Sequence, residues 1–415
     1  MESLRDKLKS LGVQIGTNHI QKPERRADTF PVESVINGKF RETRFGSTFV
    51  VEKDFPVGFH HGIVELCKIQ DYDLVAQWAK SNLLSAQDYQ NILFLDAETS
   101  GLAGGAGTFA FMIGLGHFTS NGFKLIQLFL RDPAEEKAFL VVLDQILSSF
   151  KVIVTFNGKS FDVPLMTSRY VLQKHPVPFK DKEHIDLLHL ARRIWKNRLT
   201  SRTLGNLEIE ILNLERTREE VPGWMVPELY VDYLRTRDAR PLAGVFYHNE
   251  IDILSLAALL NFQSQILNNP LESDSTVSLD CIAIARIYEE LGYLEKAVNL
   301  YQHSIDLGLS VEFLIDTLNR YAKIYKRSGD WDAAKTLWES AAVYNDIESC
   351  IELAKYHEHL CHDPSTALLW TNLANELLSN DINRQTNEIN QYALEKRQQR
   401  LENKVQNSKP TQGKQ

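Results

Sequence analysis

Three apolar runs set close together do most to limit the folds open to this chain: NILFLD (91–96), TFAFMIGLGHF (108–118) and FKLIQLFL (123–130). Each has the length and bulk of a buried strand, and the joins between them are short. A helix is predicted next, because Asp132-Pro133-Ala134-Glu135-Glu136 sets a capping acid and a first-turn proline ahead of KAFLVVLDQILSSF. KVIVTF (151–156) reads as a short β-branched strand, with further helices to residue 262. That succession describes an α/β domain, a mixed sheet flanked by helices.

At 415 residues the chain exceeds one ordinary core, so further domains are expected. Residues 1–88 read as an N-terminal extension, in which Asn37-Gly38 amid alternating residues suggests a short hairpin and Tyr72–Leu83 a helix. From residue 277 the pattern changes to helix-turn-helix units. Ala285, Tyr288, Gly292, Ala297 and Tyr301 are echoed 37 residues on by Ala322, Tyr325, Gly329, Ala334 and Trp338, with a fainter copy through Ala354, Ala367 and Trp370. These copies resemble tetratricopeptide repeats, so residues 277–390 are expected to form an all-α TPR-like helical repeat domain, with a plain helical bundle as the alternative. The polar stretch 395–415 reads as a disordered tail.

No run of eighteen apolar residues is present, and MESLRDKLKSLG lacks the apolar core of a signal peptide. A cytoplasmic protein with no membrane partner is expected. The four cysteines are scattered without the close pairs of a zinc site or disulfide framework. A net charge of −8 gives no global attraction to nucleic acid, but Lys151–Gly205 carries eleven Lys or Arg against four acids, a candidate phosphate-tracking surface.

Chemistry is concentrated in three short elements. Asp96-Ala97-Glu98 ends an apolar strand, where alternate residues point the same way, so two carboxylates face one spot. Such a pair repels itself unless a cation intervenes, and Mg²⁺ or Mn²⁺ suits oxygen ligands. Thr99-Ser100-Gly101-Leu102 and the glycines to Gly107 follow, a loop that lets a substrate backbone approach. The second element, Asn157-Gly158-Lys159-Ser160-Phe161-Asp162, comes directly after KVIVTF; Phe161 is expected to anchor the next helix in the core and Asp162 to face the cleft. In the third, Tyr247-His248-Asn249-Glu250-Ile251-Asp252, His248 and Asp252 share one helix face. Taken singly, these elements read equally well as a chance pair, a helix cap and a surface ion pair.

Together they resemble, in order and spacing, the DEDD family of 3′ to 5′ exonucleases. Residues 90–262 look more closely like the RNase H-like exonuclease domain of bacterial YprB-like proteins, through FLDAETSGL, GTFAFMIGLG, RDPAEEKAFL, FNGKSFDVPL and FYHNEIDILSL. The resemblance implies an RNase H-like DEDD exonuclease domain over residues 89–264. It implies two Mg²⁺ or Mn²⁺ ions held by Asp96, Glu98, Asp162 and Asp252, and in-line attack of water on a phosphodiester of DNA or RNA, at single-stranded 3′ ends. Family members place Tyr four or His five residues before the last aspartate; here His248 stands at four and Tyr247 at five. His248 is the expected water-orienting or deprotonating residue, with Tyr247 as the alternative. Substrate contacts are expected from Thr99, Leu102, Asn157 and Lys159, with Asp186 auxiliary, and phosphate contacts from Arg169, Arg192, Arg193 and Lys196. His184 and His189 are five apart and do not share a helix face, which argues against zinc. His60 and His61 receive no role. Two other readings compete: a nucleic-acid-binding module that does not cut, and a scaffold that recruits a protein through its helical repeats.

Overall fold

The computed structural model describes residues 30–67, 69–85, 88–101, 107–216, 221–272, 277–380 and 388–408. The chain divides into two compact units. The first comprises residues 1–70, 83–187 and 203–262, and the second residues 71–82, 188–202 and 263–415.

The first unit is built on a seven-stranded sheet in the order β1-β2-β7-β6-β5-β8-β9. Its strands are β1 (Lys39–Thr43), β2 (Gly46–Pro56), β5 (Ile92–Thr99), β6 (Ala110–Thr119), β7 (Gly122–Phe129), β8 (Val152–Thr155) and β9 (Glu183–Asp186); β3 (His60–His61) and β4 (Val64–Glu65) form a separate two-stranded ribbon. β5, β8 and β9 are parallel, and the other neighbours in the large sheet are antiparallel. The expected three strands, helix and strand are therefore present, in a mixed sheet with flanking helices: α1 (Val32–Val35), α2 (Glu136–Leu147), α3 (Asp162–Leu172), α4 (Leu204–Glu210), α5 (Val226–Thr236) and α6 (Ala243–Asn268), of which residues up to 262 lie in this unit. The core joins Phe111, Phe129, Phe139 and Tyr230, with the rings of Phe111 and Tyr230 stacked at 4.0 Å.

The hairpin near the N-terminus exists, but it does not reverse at Asn37-Gly38. The chain turns between Thr43 and Gly46, where Gly46 takes φ +116° and the Thr43 hydroxyl accepts from the Phe45 amide and donates to the Gly46 carbonyl. Gly38 instead lies against the Phe49 ring, where an added Cβ would stand 2.5 Å from Cζ.

The second unit is helical among its described residues. It holds the helix Asp73–Ala79 and residues 188–195 of the helix Leu187–Trp195, followed by α7 (Ser278–Leu291), α8 (Leu294–Asp306), α9 (Val311–Ser328), α10 (Trp331–Ala342), α11 (Ile347–His359), α12 (Pro364–Asn380) and α13 (Glu388–Ser408). Helices α7 and α8, α9 and α10, and α11 and α12 pack as successive pairs. Small residues permit the close approach: Ala285, Ala297, Ala322, Ala334, Ala354 and Ala367 are fully buried. Gly292 and Gly329 end α7 and α9 in the left-handed conformation that glycine tolerates best. The polar stretch from Glu395, expected to be disordered, is helical to Ser408. Leu394 and Leu401 bury on one face, and buried Glu358 of α11 accepts from Arg397, Arg400 and Lys404 at 2.8, 2.7 and 2.9 Å.

Candidate metal centre

Asp96 and Glu98 leave the same face of β5. Across the sheet Asp96 stands opposite Gly114 of β6, and Gly114 opposite Gln127 of β7. The missing side chain at Gly114 makes room for Asn249 of α6, because a Cβ there would lie 2.3 Å from Asn249 Oδ1. Fully buried Asn249 donates through Nδ2 to Asp96 Oδ2 at 3.1 Å and accepts at Oδ1 from Gln127 Nε2 at 3.0 Å. Gln127 Nε2 also donates to the Phe246 carbonyl at 2.8 Å. Gly116 gives Ile253 the same clearance, so α6 lies close upon β6, beside the strand that carries Asp96 and Glu98.

That placement brings His248 and Asp252, one helical turn apart, over Glu98. His248 Nε2 is 3.4 Å from Asp252 Oδ2 and 3.9 Å from Glu98 Oε1, and potential ligand atoms of all three residues lie within 4.8 Å of one another. Asp162 opens α3. The preceding turn needs a left-handed Asn157, φ +64°, and the amides of Asn157 and Lys159 donate to the Asp186 carboxylate at 2.7 and 3.1 Å. Phe161 does not anchor the helix: it is 59% exposed. The buried stripe of α3 runs Asp162, Met166, Tyr170 at four-residue spacing, and Phe161 falls off it.

Burial raises the Asp96 carboxyl well above the usual range, and the charges of Asp252, Glu98 and Asp162 raise it further. Burial also pushes Glu98 up to about 7, and the charges of Asp252 and Asp162 add to it. Asp162 rises to about 7 through burial and the Asp186 charge. Carboxylates assembled at this cost fit a divalent cation, and an all-oxygen set beside one imidazole suits Mg²⁺ or Mn²⁺.

Arg216 already supplies one positive charge. Its guanidinium forks onto Glu208 at 2.5 and 2.6 Å, pairs with Asp252 and reaches His248 Nδ1 at 3.1 Å. Arginine only donates, so Nδ1 accepts and the neutral imidazole carries its proton on Nε2, facing the carboxylates. Behind Glu208, Ser255 Oγ donates to Oε1 at 2.6 Å and lies 2.8 Å from buried His61 Nε2. Burial, then the Arg216 charge, lowers His61 to about 4. His61, Ser255, Glu208, Arg216, Asn249 and Gln127 escaped sequence reasoning. Only Asn249 carried a usable signal, an amide in the third element at a position that α6 buries.

The other expected contacts divide differently. Tyr247 lines a separate cavity of about 430 Å³ with Val35, Lys53 and Glu250, away from the acids. Thr99 donates to the Gly101 carbonyl at 3.0 Å, Lys159 is exposed, and Leu102 lies outside the described residues. Within the basic segment 151–205, Arg169 pairs with Glu136 and Lys182 donates to two backbone carbonyls, while Arg192, Arg193 and Lys196 belong to the second unit, where Arg193 pairs with Glu290. His184 Nε2 lies 2.8 Å from Thr155 Oγ1.

The mixed sheet with its flanking helices has the RNase H-like fold, and a family model for the RNase H superfamily matches residues 93–263. The chain is 30% identical over 320 residues to the uncharacterized protein YprB of Bacillus subtilis (strain 168), across 74% of this chain and 75% of that protein. It therefore belongs to the YprB family. Among solved structures it is similar to the family B DNA polymerase of Pyrobaculum calidifontis, at 18% identity and TM-score 0.35, over 51% of this chain and 29% of the polymerase, so that it spans under a third of that chain. No described helix is long and apolar enough to cross a membrane.

Proposed function

We propose that this protein is a metal-dependent 3′ to 5′ exonuclease acting on single-stranded ends of DNA or RNA. One observation carries the reading: four carboxylates from β5, α3 and α6 gather where burial and the charges of neighbouring carboxylates, Asp186 for Asp162, hold Asp96, Glu98 and Asp162 above their ordinary pKa values. Asp96, Glu98, Asp162 and Asp252 would hold the ions, which supply Lewis acidity and an activated water when bound. Asn249 fixes one oxygen of Asp96. His248, with its proton on Nε2, orients the attacking water by donation and keeps that tautomer while Arg216 occupies Nδ1. Asp186 acts at one remove, holding the turn that sets Asp162.

A second reading, a nucleic-acid-binding module that does not cut, draws on Arg216, whose charge already partly balances Asp252. The helical pairs, with their buried alanines and turn glycines, support a TPR-like repeat domain that offers a surface to a protein partner. The test of the main reading is degradation of end-labelled single- and double-stranded DNA and RNA with Mg²⁺ or Mn²⁺, beside Asp96→Ala. Stepwise loss from the 3′ end that vanishes in the variant supports it; binding without cleavage of any substrate favours the second reading.

A further inference from the structure

Trp224 is 68% exposed, an unusual place for the largest side chain. It sits in the single turn Gly223–Met225 that leads into α5. That turn is firmly mounted: Val226 and Tyr230 behind it are buried, Tyr230 stacks on Phe111, and its hydroxyl donates to the Leu130 carbonyl at 2.8 Å. The turn also lies close to the candidate metal centre, because a Cβ on Gly223 would stand 3.7 Å from His248 Nε2. His248 and Asp252 further border a cavity of about 640 Å³ walled by Leu204, Gly205 and Ile209 of α4. Ile209 is itself 57% exposed. An exposed indole, one residue on from the glycine that lies beside His248, and an open apolar wall at Ile209 thus stand near the acids on which a phosphate would be cut.

We propose that Trp224 is a stacking platform for an unpaired base of the strand whose phosphodiester meets the acids, so that the site takes single strands and frayed ends rather than paired duplex. This rests on the nuclease reading for the position of the phosphate. An indole offers every base the same π-face, so recognition there is tolerant of sequence. A base inside a duplex already stacks on its neighbours and cannot lie on Trp224 without being unpaired. Arg216, paired with Glu208 and Asp252, is not needed for this contact.

The test is binding by the full-length protein in EDTA, where no turnover occurs, of a fluorescein-labelled oligothymidylate and of an abasic oligomer of the same length and charge. Trp224→Ala should weaken the base-bearing oligomer by about tenfold or more and leave the abasic one unchanged, the difference expected of one base stacked on an aromatic ring. Trp224→Phe should restore most of the affinity, and base-bearing oligomer should quench the tryptophan fluorescence of the wild type more than that of Trp224→Phe. The inference is overturned if Trp224→Ala binds oligothymidylate as the wild type does, if it loses both oligomers equally, or if the wild type does not prefer the base-bearing one. Because the readout needs no cleavage, a protein that stacks strands on Trp224 but cuts nothing with metal would sink the nuclease reading alone. Unchanged stacking behaviour in the variant, with cleavage intact, would sink this one.

Discussion

Replacing Asn249 with alanine removes the amide that donates to Asp96 Oδ2 and the acceptor that engages Gln127. Gln127 keeps its bond to the Phe246 carbonyl, so the principal loss falls on Asp96. A hydrogen bond to a charged group contributes about 1.5–3 kcal/mol, so Asn249→Ala should lower stability by about 2 kcal/mol at a pH where Asp96 is ionised. The larger effect is expected on the metal: losing a residue that orients a ligand typically costs about 10–100-fold in metal affinity or activity. Asn249→Asp keeps the shape but sets another acid beside Asp96, and should be worse than alanine at neutral pH. Calorimetric titration with Mn²⁺ reads the affinity, and denaturant unfolding reads the stability. An Asn249→Ala protein that is folded and binds Mn²⁺ as tightly as the wild type would refute the claim that Asn249 orients Asp96.

Three further outcomes are expected. With Glu98 and Asp162 raised to about 7 from 4.5 and 3.8, the folded metal-free protein binds more protons than the unfolded chain between those limits. Their contribution is therefore full below roughly pH 4 and lost as pH rises toward 7. Melts in EDTA should show this fall, reduced in Glu98→Gln and reversed in the wild type by Mn²⁺; identical pH profiles for the two proteins would contradict it. Arg216→Gln leaves buried Glu208 without its cation, and breaking such a pair should cost about 3–5 kcal/mol in denaturant unfolding of the metal-free protein. Glu358→Gln removes the carboxylate that gathers Arg397, Arg400 and Lys404. It should free α13 first, seen as faster limited proteolysis after residue 388 with the earlier helices still protected.

What could be read from the sequence was local. The i, i+2 spacing of Asp96 and Glu98 and the i, i+4 spacing of His248 and Asp252 each predict a shared face, because strand and helix periods are set by the backbone. Gly114 and Gln127 sit within apolar strands, where nothing in a single strand reports that they lie side by side and receive Asn249 from a helix more than a hundred residues later. Arg216, Glu208, Ser255 and His61 likewise join only through tertiary packing. Asn37-Gly38 misled because turn propensity competes with packing, and here the Phe49 ring claims the space beside Gly38. The polar last helix was invisible for a related reason: its two buried leucines, seven residues apart, are too sparse a stripe to stand out among charged neighbours.

The Asp186 carboxylate is the structural stay of the Asn157–Lys159 turn, and Asp186 belongs to β9, a four-residue strand at the edge of the sheet. Short edge strands open earliest, since they have one partner rather than two and few buried contacts to lose. One member of the acidic quartet is thus tied to an edge of the sheet. On gentle warming the protein would lose Asp162 from register while the rest of the sheet still stood, so that inactivation precedes unfolding and reverses on cooling.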